Sequence, residues 1–163
     1  MFNKKKSLFN ESFGVVKHWG FAWTTEEKTL IVLWNKAYEL HIDIVDKQGK
    51  SGISKLQEDT YIKFKENLAE NQKNVEQVVS IFFNTTNVDS LISKFIPYSI
   101  QINTNGECAL IGENSEDEDI HDVLPGLAVI IYPKMAVFTE EAYSEYVFLS
   151  GDKVIKKELY GDE

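Results

Sequence analysis

Over the early part of the chain apolar and polar positions alternate with a period of two, the mark of half-buried strands. Phe13–His18 forms one such run and Trp19–Trp23 its continuation or a neighbour, with a polar turn at Thr24–Lys28. Thr29–Trp34 is apolar without interruption, so that strand needs cover on both faces. Asn35–Lys36 makes a two-residue turn into Ala37–Val45, where the alternation is clean. Tyr38, Leu40, Ile42 and Ile44 point to the core there, and Glu39, His41 and Asp43 point away. Asp46–Gly52 breaks this pattern, and the period then becomes helical. Ile53, Leu56, Tyr61, Phe64 and Leu68 form one stripe; Val75, Val78, Val79, Phe82 and Phe83 form another, after a polar interruption at Asn71–Asn74. The spacing predicts helices over 53–71 and 74–84, and a further short helical turn between Val88 and Phe95 that Pro97 ends.

Strand character returns at Tyr98–Ile102, and Asn105–Gly106 is a strong hairpin dipeptide before Glu107–Gly112. Leu127–Tyr132 is a second strand apolar on both faces. Thr139–Tyr143 carries a capping threonine and first-turn acids, which predicts a short helix. The order of strands, helices and strands predicts a single α+β domain: an antiparallel β-sheet with two central helices packed on one face. The expected divisions are a flexible lead-in at 1–12, the domain at 13–149 and a polar tail at 150–163. Two helices cover only one face of the doubly apolar strands. The segment 135–149, with Met135, Val137, Phe138, Tyr143, Tyr146 and Phe148, is favoured over a second subunit to cover the other.

Composition narrows the function classes. The 163 residues suffice for one domain with a substantial core, and 43% hydrophobic residues with 12% aromatics is a globular composition. A net charge of −9 without a basic stripe opposes binding to nucleic acid phosphates. All 17 cationic side chains are lysine, so the bidentate fork of arginine is missing. Cys108 is the single cysteine; it permits no internal disulfide or thiolate metal cluster and reads as a core residue. The N-terminal lysines precede no apolar signal-type run and no window reaches the length of a membrane span, which makes a cytoplasmic protein the expectation.

The densest charge lies between two apolar strands. Six of the ten residues from 113 to 122 are acidic: Glu113, Glu116, Asp117, Glu118, Asp119 and Asp122. So much like charge in one connection is relieved by water, a cation or a basic partner. These six residues are therefore the candidate partner-binding surface; the plain alternative is a solvated linker. A metal reading is also available, with Glu39, His41 and Asp43 on one strand face, and with His121 beside Asp119 and Asp122. None of these shows a recognised ligand spacing, and i, i+2 acids suit any solvated strand face. No metal, cofactor or catalytic residue is assigned. The sequence lacks a Gly-x-Ser-x-Gly elbow and a phosphate-cradling glycine loop. Trp19, Trp23 and Trp34 either fill a core or line a pocket, and the neighbouring rings of Phe82 and Phe83 cannot share one helix face.

Three stretches carry a resemblance: Trp34-Asn-Lys-Ala-Tyr38 leading into an alternating strand, Ile53-Ser-Lys-Leu-Gln57 opening a helix, and Pro125-Gly-Leu-Ala-Val129 after the acids. From about Phe13 to Leu149 the layout resembles uncharacterised bacterial domains of unknown function, members of which often read as immunity proteins. The resemblance implies an inhibitory binding role against a toxin made by the same cell, and it brings no catalytic residues. The leading expectation is thus an acidic cytoplasmic protein that docks a basic protein partner. The alternatives are a metal-assisted hydrolase using His41, Asp43 and His121, and a small-ligand binder with a tryptophan-lined pocket.

Overall fold

The computed structural model describes residues 6–115 and 126–139. Nine strands and three helices follow in the order β1 (Lys6–Asn10), β2 (Gly14–Trp19), β3 (Ala22–Thr25), β4 (Thr29–Leu33), β5 (Lys36–Val45), α1 (Lys55–Glu66), α2 (Leu68–Phe83), α3 (Val88–Lys94), β6 (Phe95–Ile102), β7 (Cys108–Asn114), β8 (Gly126–Tyr132) and β9 (Ala136–Thr139). They build one mixed α/β domain around a nine-stranded sheet of order β1-β2-β3-β5-β6-β7-β8-β9, with β4 also paired to β5. The expected antiparallel sheet is corrected at one place. β5 and β6 are parallel, with Ile42 opposite Ile100 and Ile44 opposite Ile102. Parallel neighbours need a long crossover, and the three consecutive helices supply it. Strands, not helices, dominate the architecture.

Part of the expected lead-in belongs to the sheet. β1 pairs with β2 from Lys6↔His18 to Asn10↔Gly14, because Leu8 finds the core and the Asn10 side chain closes the turn. Asn10 Oδ1 accepts from the backbone N–H groups of Ser12 (2.8 Å) and Phe13 (3.0 Å). β3 and β4 then run one after the other along β5, with the register stepping over Thr25–Lys28. The β4–β5 turn falls one residue earlier than expected, on Trp34 and Asn35. Both have positive φ, 52° and 63°, the geometry that matches the twist of a two-residue hairpin. An αL tryptophan is unusual, and α2 holds it: Trp34 N–H donates to Glu76, and Val32 N–H donates to Gln72 Oε1 at 2.7 Å. These helix side chains also occupy the outer edge of β4.

The helical stretch divides at Asn67 rather than at Asn71–Asn74, and the further helical turn expected between Val88 and Phe95 forms α3. Asn67 ends α1 and begins α2 with φ −113° and ψ 26°, whereas Asn71 is buried inside α2 with Nδ2 donating to the Phe64 carbonyl and to Tyr132 Oη. α1 opens on a capping box between Ser54 and Gln57. Its buried positions are Gln57, Thr60 and Phe64, so the core stripe is partly polar, and Leu56 stays exposed. Gln57 Nε2 reaches the Val45 carbonyl (3.0 Å) and Thr60 Oγ1 the Gly106 carbonyl (2.9 Å), which satisfies both groups. α2 buries Val75, Val78, Val79 and Phe83 as its apolar spacing predicts. Phe82 meets the Phe83 ring edge-on at 5.0 Å.

One large apolar core lies between the helices and the inner face of the sheet, with Val16, Trp23, Ile42, Ile44, Phe64, Phe95 and Val129 at its centre. A second, smaller cluster of Ala109, Ala128, Ile130, Ala136 and Phe138 occupies the opposite face of β7–β9. Residues 136–139, expected as part of a cover for that face, instead extend the sheet as β9; 140–149, and with them the short helix expected from Thr139 to Tyr143, lie outside the described residues. Leu30 on β4 remains exposed, so that strand is covered on one face only. Among the described residues no helix is long and apolar enough to cross a membrane.

Candidate functional site

The chemistry of the sheet face turned away from the helices changes along the strand order. At the β1–β2 end the face is rich in exposed apolar side chains, with Ser7 and Lys17 among them. Leu8 and Val16 pack inward, so alternation turns Phe9, Val15 and Trp19 outward, with Phe9 and Val15 opposite each other. Phe9 is 69% exposed, Trp19 63%, and Phe21 in the following turn 48%. Single exposed apolar side chains are ordinary, but here Phe9 and Val15 lie side by side across paired strands, and Trp19 and Phe21 stand at the β2–β3 turn beyond Lys17, so apolar exposure is concentrated at this end of the face.

Next along the sheet the face turns polar and acidic. Asp43 accepts from Thr24 Oγ1 at 2.6 Å and from Ser99 Oγ at 2.7 Å, so both carboxylate oxygens are fixed by hydroxyls of the flanking strands. Glu26 pairs with Lys17 at 3.2 Å, with both side chains half exposed, and is worth little as a stabilising bridge. Glu39 stands exposed opposite Leu30. Among the six acids that sequence reasoning selected, Glu113 lies half-buried on β7 between Ile96 and Gly126 on this same face. Glu116, Asp117, Glu118, Asp119 and Asp122 lie outside the described residues. The chain leaves β7 beside the end of α3, where Ser115 N–H donates to the Lys94 carbonyl (3.0 Å).

The two described histidines do not converge. His41 Nδ1 donates to the Thr25 carbonyl (2.8 Å), while His18 lies on the helix side of β2 and donates Nε2 to the Asp46 carbonyl. His121 lies outside the described residues, and among those described no three His, Cys, Asp or Glu side chains come together in a metal-binding group. The tryptophans part as well: Trp23 is buried in the core, Trp34 packs at its edge, and Trp19 projects outward. Cys108 is fully buried, and burial pushes its thiol up to about 12, so it holds no thiolate at neutral pH.

A polar clasp that the sequence did not reveal holds this end of the sheet. Asp46 is buried just after β5, and its carboxylate accepts from Trp23 Nε1 (2.9 Å) and from the backbone N–H of Gly52 (2.8 Å) and Ser51 (3.5 Å). Burial works against its charge. The bonds from Trp23, Gly52 and Ser51, with the nearby His18 imidazole, outweigh that and hold the carboxyl below the ordinary aspartate value. The clasp fixes the 46–52 turn against β2 and β3, and so fixes the strands that carry Trp19. Its only sequence signal was an aspartate opening a Gly- and Ser-containing turn.

What the arrangement offers is recognition chemistry: aromatic anchors on a stiff frame next to immobilised negative charge. No protein-family model, curated protein or solved structure matches this chain.

Proposed function

We propose that this protein is a binding module that docks a basic protein partner on the outward face of its sheet and acts in the cytoplasm. The observation that carries the reading is the patch of Phe9, Val15, Trp19 and Phe21 beside the acids Glu26, Glu39 and Asp43. Interfaces draw most of their affinity from a few aromatic anchors, while complementary charge speeds encounter and selects the partner. The acidic residues Glu113, Glu116, Asp117, Glu118, Asp119 and Asp122 add negative charge that favours a basic partner. An immunity-type inhibitor, holding a basic toxin inactive, is the narrower form of this proposal, and the sequence resemblance supports it.

The test is affinity capture from extract of the source cell with the native chain and with a Phe9→Ser, Trp19→Ser double variant. A basic protein retained by the native chain, lost from the variant and released as salt rises supports the proposal. Equal capture by both chains, or a partner that is acidic, sinks it. Both side chains are more than half exposed, so the variant should keep its fold, which circular dichroism checks.

A further inference from the structure

The β1 edge of the sheet presents backbone groups that nothing among the described residues uses. β1 begins the strand order, and its described partner is β2. The direction of its backbone groups follows from that neighbour. Glu26 N–H donates to the Val15 carbonyl (3.0 Å), so Val15 and, by alternation, Lys17 turn their backbone groups toward β3. Their partners across β1 are Phe9 and Ser7. These two therefore form non-hydrogen-bonded pairs with β2 and direct N–H and C=O away from it, to the open side. The strand is regular throughout, without proline or bulge, and Phe9 on it is 69% exposed. An edge of that kind invites a further strand.

The charges along this edge are self-complementary. Leu8 packs against the core, so Lys6 and Asn10 share its face, the helix side. At one end the Lys6 ammonium reaches the Gly49 carbonyl (3.1 Å). At the other, Asn10 Nδ2 donates to Glu58 Oε2 (2.7 Å), which brings a carboxylate of α1 to the strand end. The salt bridges among the described residues are Lys17–Glu26 and Lys55–Asp59, so neither Lys6 nor Glu58 is spent in one. A strand of uniform charge would suit only one end of this edge. An antiparallel copy of β1 suits both.

We propose that the occupant is a second copy of this chain, with the two β1 strands paired antiparallel about a two-fold axis at Leu8. Ser7 of each copy then exchanges both backbone hydrogen bonds with Phe9 of the other. Lys6 of each copy faces Asn10 and Glu58 of the other, so the contact is isologous. On the outward face the two Phe9 rings stand diagonally across the new pair, within reach of each other. Net charge of −9 on each copy opposes association over long range, and salt at about 0.15 M screens it beyond roughly 8 Å.

Sedimentation equilibrium of the full chain in that salt, up to about 100 µM and so well above a micromolar Kd, should show twice the mass of one chain. Ser7→Pro removes an N–H that β2 does not use, so the variant should keep its fold while associating at least roughly tenfold more weakly. Lys6→Glu and Glu58→Lys should each be monomeric alone, because like charges then meet at both ends. Their equimolar mixture restores opposite charges at both ends and should dimerise. Circular dichroism checks the fold of each variant. A monomeric native chain, a dimer indifferent to Ser7→Pro, or a mixture no more associated than its components would each overturn the proposal. These measurements use the purified chain alone, so their outcome is separate from the capture of a basic partner.

Discussion

Asp46 shows how much one buried side chain can organise. Its carboxylate gives Trp23 the indole partner that a buried ring nitrogen requires, and it closes the turn that follows β5. Asp46→Ala leaves the Trp23 donor orphaned and should cost about 1–3 kcal/mol, read from urea unfolding. The pH dependence has a definite sign. The folded carboxyl titrates below the unfolded value, so its stabilisation is complete above about pH 4 and is lost as pH falls through the folded value. Unfolding midpoints of the native chain should therefore drop on acidification below about pH 4 more steeply than those of Asp46→Asn. Parallel curves for the two proteins would show that Asp46 is not ionised in the fold. Gln57 and Thr60 teach a related lesson. They occupy core-facing helix positions because each finds a backbone carbonyl across the interface.

At the level of elements, α1 and α2 are held by apolar stripes of unequal strength. α2 buries three valines and Phe83, whereas α1 contributes Phe64 as its single fully apolar buried residue. Phe64 is therefore the main anchor of α1. Phe64→Ala should cost roughly 3–5 kcal/mol in denaturant unfolding, the range for emptying a core position of that size. A loss under about 1 kcal/mol would place the anchor elsewhere. The stripe was legible because valine and phenylalanine recur at helical spacing. The boundary at Asn67 was not, because one asparagine can end a helix or sit buried within it, and only the partners of Asn67 and Asn71 separate the two cases. Trp34 is a similar case: propensity disfavours its αL backbone, and Glu76 from a distant helix helps retain it.

Across the whole molecule the sheet is buried unevenly. Its β7–β9 end is apolar on both faces, and its β1–β2 end carries aromatic rings open to solvent. β9 closes the buried end, with Ala136, Val137 and Phe138 all inaccessible. Deleting residues 134–163 removes that strand, exposes Val129 and Ile130 on β8, and leaves an apolar edge. The truncated chain should aggregate in light scattering, and a soluble monomer with native unfolding behaviour would contradict this architecture.

Local pattern alone determined most of the strands, two apolar helix stripes, the Asn105–Gly106 turn, the buried single cysteine and the acidic character of the surface. Each of these depends on residues close together in the chain, where spacing and propensity act directly. The outward-facing Phe9 and Trp19 were visible as apolar residues in alternating runs, but not as exposed residues at the same end of one sheet face. The tertiary structure decided what depends on distant partners. It made β5 and β6 parallel, brought residues 6–10 into the sheet, and separated the three tryptophans. It engaged both oxygens of Asp43 with hydroxyls from two other strands, and set Lys6 and Glu58 at opposite ends of β1. The physical reason is common to all of these. Periodicity states which face of an element is apolar, whereas the neighbour that face meets is chosen by how the strands are ordered in space.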